Sequence, residues 1–540
     1  MFIKITKSGS YKYVQAVESY RQDGQVKHRV LFNLGRLDVI EGSQSFVNFA
    51  RRLLEISKAP AALTLDSISE AEMSNWGYIV YKKIWNDFGL DRILELIGSK
   101  TKISYSLSKT SFLMVLSHLL CPSSKLACYN SQEKYIGISP VELNNIYRSL
   151  DILADSKEEI EKEIFDINRN LFNLSVDIVF YDVTTFSFSS CLPDSLKDFG
   201  FSKAGKPGKV QVVMGLLIDS YDRPVGYEIF PGNTFDGKTL PYALECLEKR
   251  FGIRKVIIVA DKGITSKINL KEITDRGYSY IFAYRLKSAP DKIKDEVFKG
   301  TYTGIDDDNE KFKYKVLDYT NNFYTGSKKI SMSQKIIITY SEKRAKKDKI
   351  DRDRAIEKAQ ALLENFSKIK ASNKKGAKKY IAQEADNINY TLDTNAIDTD
   401  EKFDGYYAIV TNEDNITAED AMFAYHNLYK IEHSFRLMKS SLEVQPIFVW
   451  TPKRIKGHFV ICFLAFLLAR HLEYKLTKNS IPASAEKIRD ALNSLNFAKV
   501  SIGQSSYYIK TKTEDIAYKI LRILKIPSPK NITPLEELSL

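Results

Sequence analysis

Cysteine is scarce in this chain: five in 540 residues (Cys121, Cys128, Cys191, Cys246 and Cys462), none of them in a CxxC pair. An odd count without regular spacing excludes a disulfide framework and a cysteine-based zinc module. The start, Met1-Phe2-Ile3-Lys4-Ile5, has no apolar core of a secretory leader, so none is expected. The longest apolar run, Phe459 to Ala469, lies between His458 and Arg470. It reaches about half of the roughly 20 residues that cross a bilayer, which predicts a buried helix and no membrane association. Acidic charge is in deficit, 67 Asp and Glu against 80 Lys and Arg, a formal net charge of +13. That balance favours an anionic partner, nucleic acid being the usual one, although solubility alone can also explain it. Nothing repeats at a fixed period and no long low-complexity tract is present. With 44% hydrophobic and 27% charged residues, the composition is that of globular units, and the length calls for three or four of them.

The texture changes along the chain. Residues 1–60 read as a small basic β-rich region with a hairpin turn at Asp23-Gly24, and 61–170 as a helical region placed for DNA-end binding. From 171 to 286 strands and helices alternate: Val176–Phe186, Val210–Ile218 and Val225–Phe230 as strands, then a helix over Asp236–Phe251. The all-apolar strand Val256–Ala260, a helix over Thr265–Arg276 and a strand over Tyr278–Tyr284 follow. This β-β-β-α-β-α-β order is the connectivity of RNase H-like folds, predicting a mixed five-stranded sheet with helices. Residues 287–402 interrupt it as a β-rich, basic insertion domain large enough for its own core. Between Glu342 and Tyr380 it carries 14 Lys and Arg against 6 Asp and Glu, which suits either a solvated helix or a DNA-facing surface. A second part of the core (403–476) and a C-terminal helical region (477–540) complete the expected α/β organisation.

Three carboxylates stand out. Asp182 lies toward the end of an apolar strand, in Tyr181-Asp182-Val183-Thr184-Thr185, and Asp261 directly follows the strand Val256–Ala260. Singly, each is as well explained by a turn or a helix cap. Glu432 falls in a helix that opens at Thr417-Ala418-Glu419-Asp420 and repeats apolar residues every three or four positions to Leu442. At about 100° per residue, Tyr425, Arg436 and Lys439 fall within about 40° of Glu432. The four form one stripe of roughly 21 Å beside the buried face. Incidental charge on a solvated helix edge is the ordinary meaning of such a stripe. It does not predict a tyrosine, a glutamate and a lysine at intervals of seven.

Tyr425-x2-Leu428-x3-Glu432-x6-Lys439 resembles the YREK signature of bacterial insertion-sequence transposases of the IS-four type. The block Tyr181–Thr185 resembles the family's first-aspartate segment and Val259-Ala260-Asp261-Lys262-Gly263 the second. Phe230–Thr234, Lys456–Leu472 and Asn33–Leu37 are similar to further segments. Two positions depart from the pattern, each losing a possible phosphate contact: Leu428 where the signature has arginine, and Gln445-Pro446 where relatives have Arg-Pro. The resemblance implies a DDE transposase with Asp182, Asp261 and Glu432 as catalytic metal ligands. It implies two Mg²⁺ ions, with Mn²⁺ able to substitute, and DNA contacts from Tyr425, Arg436 and Lys439. The implied partners are terminal inverted repeats and target DNA. Homodimeric synapsis and a bacterial cytoplasmic, nucleoid-associated setting belong to the same expectation. An RNase H-like nuclease without strand transfer, and a non-catalytic DNA-binding descendant, remain alternatives. A phosphatase-like reading is weaker, because Thr184 stands where its second aspartate would be.

Overall fold

The structure is a computed structural model describing residues 1–22, 25–57, 72–171, 177–189, 192–201, 208–261, 263–307, 310–325, 327–364, 376–383, 390–502 and 505–534. These form two compact units, one from Met1–Ser74, Phe497–Thr511 and Pro529–Ser539, the other chiefly from Asn75–Asn496 with Lys512–Ser528.

The smaller unit opens with an antiparallel sheet of β1 (Phe2–Ser8), β2 (Tyr11–Gln22) and β3 (Gln25–Arg36). Gly9, at φ +60°, turns β1 into β2, a conformation that suits a residue without Cβ. The turn expected at Asp23-Gly24 lies outside the described residues, though Gln22 pairs with Gln25 on either side of it. A second sheet, in the order β18-β17-β16-β4, joins β4 (Glu72–Asn75) to β16 (Asn496–Ile502), β17 (Ser505–Lys510) and β18 (Ile532–Pro534). The expectation of a purely helical C-terminal region is therefore corrected. Helices do occupy Ala485–Asn493 and Asp515–Ile523. Between them, Phe497 and Tyr508 meet on one face of a sheet and buried Val500 points to the other.

In the larger unit, β5 (Ile178–Ser187), β6 (Gln211–Asp219) and β7 (Pro224–Pro231) are antiparallel, and β8 (Ile257–Ala260) and β9 (Ser279–Tyr284) extend the sheet in parallel from β5. The order β7-β6-β5-β8-β9 accounts for the five expected strands. The sheet does not stop there. β10 (Thr303–Asp307), β11 (Glu310–Thr325), β12 (Lys328–Ser341) and β15 (Tyr406–Thr411) bring it to nine, joined through β15 against β9. The expected five-stranded sheet and self-contained insertion are both corrected: Ile336 and Ile338 of β12 enter the same apolar core as Ala408, Phe282 and Ile258. Only β13 (Ile381–Gln383) and β14 (Tyr390–Leu392) form a separate two-stranded ladder.

Helices cover both faces of the central strands. Tyr181 and Val183 of β5 point into a core with Leu244 and Ile273, from the helices Leu240–Glu245 and Lys267–Asp275. The alternate residue Phe186 meets Phe459, ring centroids 5.4 Å apart, on the helix Pro452–Lys478. That helix is the apolar run foreseen from the sequence. Its 27 residues are long enough to cross a membrane, yet its apolar window is 94% buried within the fold. Gly457 lets it approach the helix Leu143–Asp155, for a Cβ there would lie 1.9 Å from the Leu150 carbonyl oxygen.

Candidate active site

Asp182 belongs to the middle of β5, which runs on to Ser187, and not to a strand end. Strand parity puts it on the face opposite Tyr181 and Val183, with Thr184 and Phe186. Asp261 comes directly after β8, as expected. It does not cap the next helix; Ser266 does, its hydroxyl accepting from the Asn269 amide. The two aspartates are brought level by strand register. β5 and β8 pair in parallel at Ile178–Ile257, Val179–Ile258 and Phe180–Val259, and the same offset two residues on sets Asp182 beside Asp261. Adjacent strands lie about 4.8 Å apart, so the pair occupies one edge of the sheet where β8 stops and β5 continues.

The helix expected over Thr417–Leu442 is not continuous. It begins as predicted, with the Thr417 hydroxyl accepting from the Asp420 amide, and runs from Ala418 to His426. At Asn427-Leu428 the backbone tightens into three-residue hydrogen-bonded turns, Leu428 N–H to Tyr425 C=O and Ile431 N–H to Leu428 C=O. An eight-residue helix, Tyr429–Arg436, follows, and Leu437–Ser441 then widens into a π-turn. No Gly or Pro marks the break, and the apolar rhythm continues through it: Leu428, Ile431, Phe435 and Met438 are all buried. The first helix packs on β8, β9 and β15, and the second on β5. The segment therefore crosses the strands that carry both aspartates, with exposed Glu432 midway.

The two ends of the stripe meet the sheet. Tyr425 directs its hydroxyl at Asp261 Oδ1, 3.4 Å away, and Lys439 Nζ donates to Thr184 Oγ1 at 2.6 Å while lying 5.5 Å from the Phe186 ring. Burial pushes the Tyr425 hydroxyl up to about 12, so it is a protonated donor near neutral pH. Arg436 is placed differently from the expectation. It lines a cleft of about 880 Å³ together with Tyr221, Lys430, His433 and Glu473. Both sequence departures have structural work. Leu428 is 8% exposed and fills the core, and Gln445 Oε1 accepts from the Ser187 amide at 3.1 Å, tying off β5.

Two features were invisible in the sequence. Tyr407 of β15 packs against Tyr425, centroids 5.5 Å apart and rings tilted by 42°, and Arg344 of the helix Glu342–Leu363 lies 4.7 Å over the Tyr407 ring. No spacing pattern links residues so far apart in the chain. The end of the π-turn is held from behind: His118 Nδ1–H donates to the Leu442 carbonyl at 2.8 Å and His458 Nε2–H to Val444 at 3.1 Å. Lys125 donates to the remaining nitrogen of His118, and Cys462 completes this buried group.

The carboxylates suit a divalent metal. Among the described residues no Lys or Arg forms an ion pair with Asp261 or Glu432. Carboxylate oxygens are the donors that hard cations take. Asp182, Asp261 and Glu432 do not have oxygens all within 4.8 Å of one another. The tighter groups among the described residues, His118–His458–Cys462 and Glu161–Glu228–Cys246, already contain cations: Lys125 in the first, Lys157 and Arg250 in the second.

Comparison with known proteins identifies the family. Residues 3–62 match the N-terminal domain model of the IS1634 family transposases, and residues 177–468 match the transposase DDE domain. No curated protein is matched. Among solved structures, one similar chain is the piggyBac transposase in a synaptic complex with hairpin DNA, at 9% identity and TM-score 0.36, covering 79% of this chain and 82% of that one. The DDE domain carries divalent-metal-dependent DNA chemistry, and its match spans more than half the chain, including both aspartates, Glu432 and the stripe around it. The chain belongs to the DDE-domain transposases of insertion sequences.

Proposed function

We propose that Asp182, Asp261 and Glu432 are the catalytic carboxylates of this transposase, on an RNase H-like core, and that they hold two Mg²⁺ ions, replaceable by Mn²⁺. The observation that carries this is the register of β5 against β8, which sets two strand aspartates side by side under the helix of an exposed glutamate. When bound, the ions would supply charge neutralisation on the phosphate and activation of the attacking oxygen. In the first reaction a water oxygen attacks the phosphorus beside the element's end and the 3′-oxygen leaves. In the second that 3′-OH attacks target DNA and displaces its 3′-oxygen.

The chain's own residues do the positioning. Tyr425 orients Asp261 through its hydroxyl and offers its ring edge to the terminal nucleotide. Lys439 keeps an ammonium beside Thr184, one strand period from Asp182, where a phosphate can take it over. Arg436, in the cleft with Lys430 and His433, contacts DNA backbone further from the reacting atoms. Two such sites, one per protomer of a homodimer, would process the two inverted-repeat ends at the bacterial nucleoid in the cytoplasm.

The test uses purified full-length protein with terminal DNA taken from the sequence flanking the reading frame. Alanine at Asp182, Asp261 or Glu432 should abolish metal-dependent cleavage and leave end binding within a few-fold of wild type. Cleavage retained by any of the three variants overturns its assignment. Precleaved ends plus a target plasmid should give joined product. Cleavage without joining would make the protein a nuclease.

A further inference from the structure

The insertion approaches the catalytic edge with the guanidinium of Arg344. Arg344 sits 4.7 Å over the ring of Tyr407, Tyr407 packs against Tyr425, and the Tyr425 hydroxyl reaches Asp261. The two tyrosines are close enough to influence each other electrostatically, and both feel the charge of Arg344. The arginine side chain is 48% exposed and has one ion-pair partner, Asp348, at 3.6 Å. That distance is too long for a good hydrogen bond, so most of the fork of five N–H donors is unused. Stacking on an aromatic face fixes the plane of a guanidinium and leaves its edge open, the arrangement suited to bidentate phosphate recognition.

The catalytic helix offers no cation of its own at this end. Leu428, one turn beyond Tyr425, is buried, and Arg436 opens onto the separate cleft. Lys439 serves the other end, at Thr184. A phosphodiester drawn to Asp261 would therefore meet a neutral hydroxyl from Tyr425 and, among the described residues, the Arg344 guanidinium held over the Tyr407 ring. Around it, Lys343, Lys346, Lys347 and Lys349 make the first turns of the Glu342–Leu363 helix strongly basic.

We infer that Arg344 is a phosphate-binding residue of the transposase: its guanidinium, held over the Tyr407 ring that packs against Tyr425, grips a DNA phosphate next to the one cleaved at Asp261. This rests on the proposed catalytic role of Asp261. It makes the insertion a part of the substrate site and gives Tyr407 the role of a positioning residue, one that acts on DNA through Arg344.

The experiment uses the full-length chain and short duplexes carrying the element's terminal repeat, with one phosphate at a time replaced by a neutral methylphosphonate. Arg344→Ala should weaken end binding about ten- to a hundredfold, the scale of a lost charge-assisted contact. The slope of log affinity against log salt should fall by about one, as for one phosphate contact removed. Arg344→Lys should recover the salt slope but only part of the affinity. At one linkage near the cleavage point, the methylphosphonate should weaken wild type as much as the substitution does, and should weaken Arg344→Ala no further. A merely structural arginine would give additive losses at every linkage, and that result, or an unchanged salt slope, overturns the inference. Asp261→Ala is run alongside: if it still cleaves, the underlying site reading fails. If it is inactive while Arg344→Ala binds and cleaves like wild type, only the inference about Arg344 fails.

Discussion

Acid should loosen the catalytic segment from behind, and the size of the effect follows from two buried histidines. Burial holds His118 down to about 3, with the Lys125 charge adding to the effect, and lowers His458 well below its ordinary 6.5. Both are neutral in the fold and donate to the Leu442 and Val444 carbonyls at the end of the π-turn. The groups facing them are Lys125 and Cys462, so an added proton on His118 would put two cations against each other. A histidine whose folded value is depressed contributes stability that is present above 6.5 and lost as pH falls toward the folded value. Each pH unit below 6.5 costs about 1.4 kcal/mol per histidine. At about pH 5 that is about 2 kcal/mol each and about 4 for the pair, a large part of a typical margin of about 5–15 kcal/mol. The assay is urea unfolding followed by tryptophan fluorescence between about pH 7.5 and 5, in wild type and in His118→Asn. Asparagine can still donate to Leu442 but does not titrate, so the variant should lose close to half of the pair's acid dependence. End cleavage should fall over the same window and return when the pH is restored. If wild type and His118→Asn share one pH slope, His118 is not the group that titrates and the clamp argument is wrong.

Three further substitutions probe the supports of the site, each read as a shift in unfolding free energy. Gly457→Ala would force a methyl into the Leu150 carbonyl, so the helix pair must part, with an expected loss of about 1–3 kcal/mol or more; a neutral outcome would show that the two helices can slide. Gln445→Ala leaves the Ser187 amide without its acceptor and should cost about 1–3 kcal/mol, with a matching loss of hydrogen-exchange protection at the end of β5. Glu161→Ala removes the 1%-exposed carboxylate that Lys157 and Arg250 share, and should cost about 3–5 kcal/mol because the two cations are left with Glu228 as the one carboxylate shared between them. Recovery in a Glu161→Ala, Lys157→Met double variant would mark charge as the cause, and no recovery would mark lost packing.

The sequence was most informative where one residue class filled a whole element. The apolar run Val256–Ala260 announced a buried strand and so exposed Asp261 as the residue after it, and the run Phe459–Ala469 announced the interior of the Pro452–Lys478 helix. Asp182 was found as a residue but misplaced within its strand, because Val183, Thr184 and Thr185 are all buried and give no sign of where pairing with β8 ends. The break at Asn427-Leu428 was hidden because a tight turn preserves a three- and four-residue apolar rhythm. The insertion looked independent because β11 mixes Lys, Asp, Asn and Tyr along one edge of the sheet, which conceals a 16-residue strand from any test of alternation. Arg344 and Tyr407 acquire meaning only through Tyr425, and contacts of that kind leave no local trace.

The seam at β15 has a consequence for how such a chain can change. β12, β15 and β9 are joined by continuous backbone pairing, from Lys335–Thr411 to Tyr340–Tyr406 and from Ala408–Tyr284 to Thr411–Ile281. An insertion on a flexible stalk could be exchanged between relatives like a cassette. This one cannot, because excising β10–β12 would leave β15 as a bare, apolar edge primed to recruit strands from other molecules. A change in length would be borne most easily at the far end of the β11–β12 ladder, beyond the Thr325–Lys328 pair, away from the seam with β15.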